Sequence, residues 1–178
     1  MFSLFPSSWR GFTKEGTRTF ADQALIHLPD LYRVAFFLLG NRSAAEEMVE
    51  KVYLQARNHG EREGHVTNLK LDLLHRLLAA AGEDLHCPPN WKDIGTADAA
   101  VNGLFRIPRI LRGVVILDLI GLEVAEMAAV IGLPVAITLA RQRAAWEALF
   151  QACAEQDTSG VYPPAVAIHS LRNRLTSC

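Results

Sequence analysis

The chain has 178 residues, half of them apolar, with charged residues near the average share and a formal net charge of -1; it is long enough for one ordinary domain or two small ones and is excluded from the disordered class. A protein that holds duplex DNA unaided carries a basic surplus, because phosphate neutralisation supplies most of the affinity, so any nucleic-acid binding is expected to be weak, local or assisted. Cys87, Cys153 and Cys178 lie far apart with no C-x-x-C spacing, which argues against a disulfide framework or a zinc site and for reduced thiols in a cytoplasm.

The opening stretch, MFSLFPSSWRGF, lacks the basic start and long apolar centre of a signal peptide. Period-2 alternation is nearly absent and apolar residues recur at spacings of three and four, so the chain reads as all-α. A first helix is expected over about 19–39, with Leu25, Leu28, Leu31, Ala35, Leu38 and Leu39 inward, bent or divided at Pro29 and closed by Gly40-Asn41. Ser43-Ala-Ala-Glu46 reads as a capping box. It opens a second helix with Ala45, Met48, Val49, Val52, Tyr53 and Ala56 on one side, ending near Asn58-His59-Gly60. Thr67 is expected to cap a third helix, NLKLDLLHRLLAAAG, stopped by Gly82.

The pattern is lost over 83–97, where a Pro-Pro pair, Gly and scattered charge predict a linker between two helical domains. Helices are then expected over 99–105, 108–119, 123–131 and 134–153, with turns at Gly121 and Gly132-Leu133 and each Pro and Gly where helix ends favour it. Arg112, Asp118, Glu123, Glu126 and Pro134 interrupt the most apolar stretch and argue against a membrane span. The organisation is therefore a domain over 19–82, a linker over 83–97, a second domain over 98–153, and a tail over 154–178 with a short helix beyond Pro164.

Two segments taken together resemble one family. LYRVAFFLLGNRSAAEEMVEKVYLQAR resembles the core-polymerase-binding segment of bacterial extracytoplasmic-function sigma factors. IPRILRGVVILDLIGLEVAEMAAVIGLPVAITLARQRAAWEAL resembles the fourth conserved region of the same family, with Glu126-Met127-Ala128 at its Glu-Ile-Ala-like turn. The resemblance covers roughly residues 20–150. It implies that the first domain docks on the clamp of core RNA polymerase and helps to open the minus ten element. The second domain, a helix-turn-helix of winged-helix-like, sigma region 4 type, would then set its last long helix in the major groove at minus thirty-five. It also implies an anti-sigma partner and no catalytic residue, cofactor or metal.

The residues keep part of this chemistry. Glu47 and Glu50 are expected as exposed acids facing basic groups of the polymerase, with Val49 and Tyr53 as apolar contacts beside them. Acids at a helix start also serve the macrodipole alone, and the capping box already explains Glu46. Members of the family usually carry Gln-Glu where this chain has Glu50-Lys51. Strand opening calls for aromatic platforms and a basic track, yet the third helix has no aromatic, and Lys70 and Arg76 are its only cations. In the last long helix Leu139-Ala140 stand in place of Lys-Ser and Ala144 in place of Arg, which leaves Thr138, Arg141, Gln142 and Arg143 to reach a phosphate or base edge. Losing two or three cations weakens DNA binding by roughly tenfold or more.

A sigma-like module that has lost promoter recognition and binds an anti-sigma factor is the alternative reading; a helical enzyme would need clustered acids, bases or nucleophiles that the pattern lacks. His59 and His65 beside Glu61 and Glu63, and Cys87 beside His86, match no metal or nucleophile spacing and read as solvated loop and linker. Trp146 and Phe150 read as core or as a cover for the tail. The apolar excess predicts that the two domains pack on each other or that the chain forms a homodimer.

Overall fold

The spacing of three and four resolves into helices throughout. The computed structural model describes residues 20–63, 68–83, 90, 99–155 and 164–177. It contains α1 (Phe20–Leu39), α2 (Arg42–Glu63), α3 (Leu69–Glu83), α4 (Ala99–Arg106), α5 (Arg109–Leu119), α6 (Val124–Ile131), α7 (Val135–Ala154) and α8 (Pro164–Ser177). The fold is all-α, and no strand, hence no wing, occurs among the described residues. No single helix among them is long and apolar enough to cross a membrane.

Several helix ends differ from the sequence-based expectation, each for a local reason. α1 runs unbroken through Pro29; the proline lies in a surface turn where Leu25 and Ile26 are 36% and 65% exposed, so the backbone acceptor it deprives of a donor lies near solvent. Leu25 is thus outward, while Ala24, Leu31, Ala35 and Leu38 form the buried stripe. Gly40 alone turns the chain, at φ 67°. Asn41, not Ser43, then becomes the cap of α2: its Oδ1 accepts from the Ala44 N–H at 3.1 Å. Asn is among the best N-caps, so the helix starts at Arg42, two residues earlier than a Ser43 cap requires. α2 continues beyond Gly60 to Glu63. In α3 the cap is Asn68, whose Oδ1 accepts from the Leu71 N–H at 3.2 Å, and the helix passes Gly82 to end at Glu83. His65, Thr67, His86, Cys87 and Trp91 lie outside the described residues, as does most of the 83–97 stretch; within it, the Asn90 N–H donates to the Gly40 carbonyl at 2.7 Å.

Apolar side chains from α1–α3 and from α4–α7 join in one contiguous core. α3 packs on α6 and α1 on α5, so the seam between the two helical groups is itself core. α8 adds a stripe of Ala167, Leu171 and Leu175, all buried, against α4, α5 and α7; its four-residue spacing is one helical face. The tail thereby closes the second group.

Arg112 of α5 occupies the seam, 6% exposed. Its Nε donates to Leu104 O at 2.9 Å, one terminal nitrogen to Leu38 O at 2.7 Å, and the other to Phe105 O at 2.9 Å and Ile107 O at 3.4 Å. Its carbon Cζ also lies 4.6 Å from the Phe105 ring centroid. Leu38 belongs to the last turn of α1, and Leu104 and Phe105 to the last turn of α4, where carbonyls have no partner within the helix. Each helix C-terminus is worth roughly half a negative charge, so two of them offset one guanidinium. Burial draws its pKa down to about 10, and repulsion from Arg109 adds to the shift; the group stays charged at physiological pH. Two further bonds cross the seam. The His75 Nδ1–H donates to Val130 O at 2.7 Å, and Arg109 donates to Ala81 O at 3.0 Å. Both acceptors again lie in a last helical turn.

The α4–α7 contact depends on Gly103. A Cβ there would stand 2.7 Å from Cys153 Sγ and 3.3 Å from the Cys153 backbone nitrogen. Gly103→Val is expected to destabilise the protein by about 3 kcal/mol through overpacking. Gly82→Ala, where nothing lies within 4 Å, is expected to stabilise it by about 0.5–1 kcal/mol through helix propensity. Urea unfolding midpoints check the pair, and equal signs would refute the packing account.

Candidate functional site

Three surfaces carry the residues singled out in the sequence: the exposed side of α2, the α3 cations, and the α6–α7 corner. On α2, Glu47 and Glu50 are exposed. Val49 and Tyr53 are not available as apolar contacts beside them. Val49 is 4% and Tyr53 8% exposed, and the Tyr53 ring packs 6.0 Å from that of Phe20. Burial, ahead of nearby charges, raises the Tyr53 pKa above its ordinary value. The helical period explains the placement, because Ala45, Met48, Val49, Val52, Tyr53 and Ala56 make one inward stripe, and a residue on it cannot also face a partner. The exposed apolar residue of this surface is Leu54, at 43%. It lies four positions after Glu50 and seven after Glu47, on their side of the helix, and the sequence reading missed it.

On α3 both cations already hold acids. Lys70 Nζ lies 3.3 Å from Asp30 Oδ2 of α1, and Arg76 Nε lies 2.7 Å from Asp72 Oδ2 one turn earlier. Desolvation, then repulsion from Lys70, lowers the pKa of His27 nearby, against the opposing pull of Asp30. The net positive potential that α3 presents is therefore smaller than two free cations would give.

The α6–α7 corner is built from its ends. The Glu123 N–H donates to Glu126 Oε2 at 2.9 Å at the start of α6, so the family-like Glu126 serves a cap. Gly132 closes α6 in the left-handed region at φ 73°, and the Gly132 and Leu133 N–H groups both donate to Ala128 O. Pro134 opens α7. Across this break the two helices bend by 99°. Trp146 of α7 is half-buried and donates from Nε1 to Asp118 Oδ2 of α5 at 2.7 Å, and its ring stacks on Phe150 with centroids 5.5 Å apart. Both rings pack against the core and fix α7 to α5.

The candidate reading groups of α7 divide. Thr138 is fully buried and its hydroxyl donates to Pro134 O at 3.2 Å, within its own helix, so it cannot reach a phosphate. Spacings of seven, four and three place it on one stripe with the buried Ala145, Leu149 and Ala152, a signal present in the sequence. Arg141 and Gln142 are half-buried and Arg143 is exposed. The rest of the leading surface is apolar: Val135 and Ile137 are each 51% and Leu139 37% exposed, with Ala136, Ala140 and Ala144 exposed beside them.

Among the described residues no three His, Cys, Asp or Glu side chains converge as a metal site would require. Cys153 is buried, with its thiol 3.6 Å from Ala99 O. Fold and surfaces define an all-α protein with one core shared by two helical groups and a sharp helix–turn–helix corner. No protein-family model matches the chain, and no curated protein matches it.

Proposed function

We propose that this chain is a sigma-factor-like regulator of transcription initiation in the cytoplasm, docking on core RNA polymerase through α2 and offering α7 to promoter DNA. The α6–α7 corner supports this reading most. A left-handed glycine, a three-residue break and a bend of 99° match the crossing of helix-turn-helix units, about 90–120°, at the place the family resemblance assigns to one. The exposed Glu47 and Glu50 beside Leu54 supply an acidic, partly apolar surface for a basic partner.

This reading carries a geometric requirement. Elements at minus ten and minus thirty-five are separated by roughly 85 Å of duplex at 3.4 Å per base pair. His75 of α3 and Arg141 of α7 line one cavity, so the packed form brings together surfaces that a promoter would hold far apart. Promoter engagement then needs the seam to open, on polymerase or on release of an anti-sigma factor.

Capture on immobilised core polymerase tests the proposal. The parent chain binds, and Glu47→Lys with Glu50→Lys lowers capture by about tenfold or more through like-charge contact while leaving the thermal melt unchanged, since both acids are exposed. No capture of the parent by a matched core enzyme would end this reading.

One observation favours a second reading, a sigma-like module that has lost promoter recognition and acts as a decoy for an anti-sigma factor. The α7 surface is mostly apolar, Thr138 is buried, and both α3 cations are paired. Apolar helix faces of this kind dock on proteins, a second copy of the chain included. Specific run-off transcription driven by the chain and core polymerase excludes the decoy.

A further inference from the structure

The side of α7 turned away from the core carries a repeat of its own. Ala136, Ala140, Arg143, Glu147, Phe150 and Ala154 follow one another at alternating spacings of four and three, the seam period of two helices packed side by side. All are exposed except Phe150, which is half-buried. Ile137 and Leu139 flank the stripe, 51% and 37% exposed. The stripe lies opposite the one formed by Thr138, Ala145, Leu149 and Ala152, which faces the core.

We propose that α7 pairs with α7 of a second copy, antiparallel, to form a two-fold homodimer. The stripe is self-complementary in that orientation. With the axis at the level of Ala145, in the middle of the Val135–Ala154 helix, Arg143 of each copy faces Glu147 of the other. Ala136 then faces Ala154, and Ala140 faces Phe150, so that small meets large. A parallel pair would instead set Arg143 against Arg143 and Glu147 against Glu147, so the charges select the orientation as polar seam residues do in coiled coils. Within one helix, a basic residue four positions before an acidic one is the weaker order, and both gain more from a partner chain. Two helices of 20 residues, about 30 Å long and about 10–12 Å across, remove on the order of 1,000 Å2 from water when laid side by side, the size at which specific interfaces begin. The net charge of -1 sets no general repulsion between copies. A phosphate backbone on the same stripe would leave Glu147 facing like charge, whereas a second copy answers it with Arg143. Under the promoter reading, DNA and the second copy compete for α7, and only this consequence rests on that reading.

Sedimentation velocity of the full chain over a micromolar concentration series, with neither polymerase nor DNA, tests the dimer separately from the transcription reading. The parent is expected to pass reversibly from monomer to dimer as concentration rises. Arg143→Glu and Glu147→Arg, both at exposed positions, are each expected to weaken the dimer about tenfold or more through like-charge contact, while the thermal melt of the dilute monomer stays unchanged. Mixed in equal amounts, the two variants are expected to form a heterodimer about as tight as the parent dimer, because every charge pair across the axis is again of opposite sign. A parent that stays monomeric throughout would overturn the proposal and leave the stripe to another occupant. So would a dimer that either single variant leaves intact, or an equal mixture that associates no better than its components.

Discussion

Arg112→Met is expected to lower the unfolding free energy by about 3–5 kcal/mol, the range for removing one side of a buried charged arrangement. Methionine keeps much of the apolar stem, so packing is largely retained. What is lost is the donor to Leu38 O, Leu104 O and Phe105 O, and each buried carbonyl left without a partner costs about 1–3 kcal/mol; relief of the guanidinium's own desolvation offsets part of the sum. Against a typical total of about 5–15 kcal/mol, this is about a fifth of the stability or more. Arg112→Lys keeps the charge without the planar fork, so it serves one helix end and not both, and its cost is expected to fall between parent and Met variant. Guanidinium unfolding of the three proteins is the measurement. A Met variant within 1 kcal/mol of the parent would show that the two helix ends need no cation. The pH dependence has a definite sign. Folding lowers the Arg112 pKa to about 10, so the unfolded chain holds this proton more tightly. Its linkage adds stability only as pH rises above about 10, and none of the change falls near neutrality.

Restoring cations to α7 is expected to produce the largest functional change. Leu139→Lys, Ala140→Ser and Ala144→Arg in one variant alter only exposed positions, so the fold should survive. In the parent, Arg141 and Arg143 are the cations of this surface, and the salt dependence of duplex binding should have a slope no steeper than about -2, at roughly -0.9 per phosphate. Two added cations steepen it to about -4 and raise affinity near 0.1 M salt by about 10–100-fold. Fluorescence anisotropy with a labelled duplex over a salt series measures both quantities. A parent slope of -5 would mean that other parts of the chain track the phosphates. An unchanged affinity would mean that α7 does not enter the groove.

The second group was the more legible half in sequence, because its punctuation is backbone-specific: Gly132 needs the left-handed region, and Pro134 can stand only where a helix begins. The first group's caps differ from expectation by one or two residues because Asn41 competes with Ser43, and Asn68 with Thr67, and the choice between two good caps rests on where the preceding turn closes. Three candidate contact residues are corrected for a different reason. Val49, Tyr53 and Thr138 lie on the buried stripes of their own helices, and reading them as contacts set a motif above the period. Leu54 and the bare apolar surface of α7 could be found by asking which residues the buried stripe leaves out.

The all-α class, the run of helices, the αL turns and the scarcity of free cations on α7 follow from the order of residues alone, since they depend on spacing within one helical turn and on the conformational limits of Gly and Pro. The joining of two helical groups into a single core does not. It rests on α3 packing against α6 and α1 against α5, and on Arg112, Arg109 and His75 reaching carbonyls up to 74 positions away in sequence. Nothing local marks a carbonyl as awaiting a distant donor; it becomes a partner only when the folded chain removes water from it.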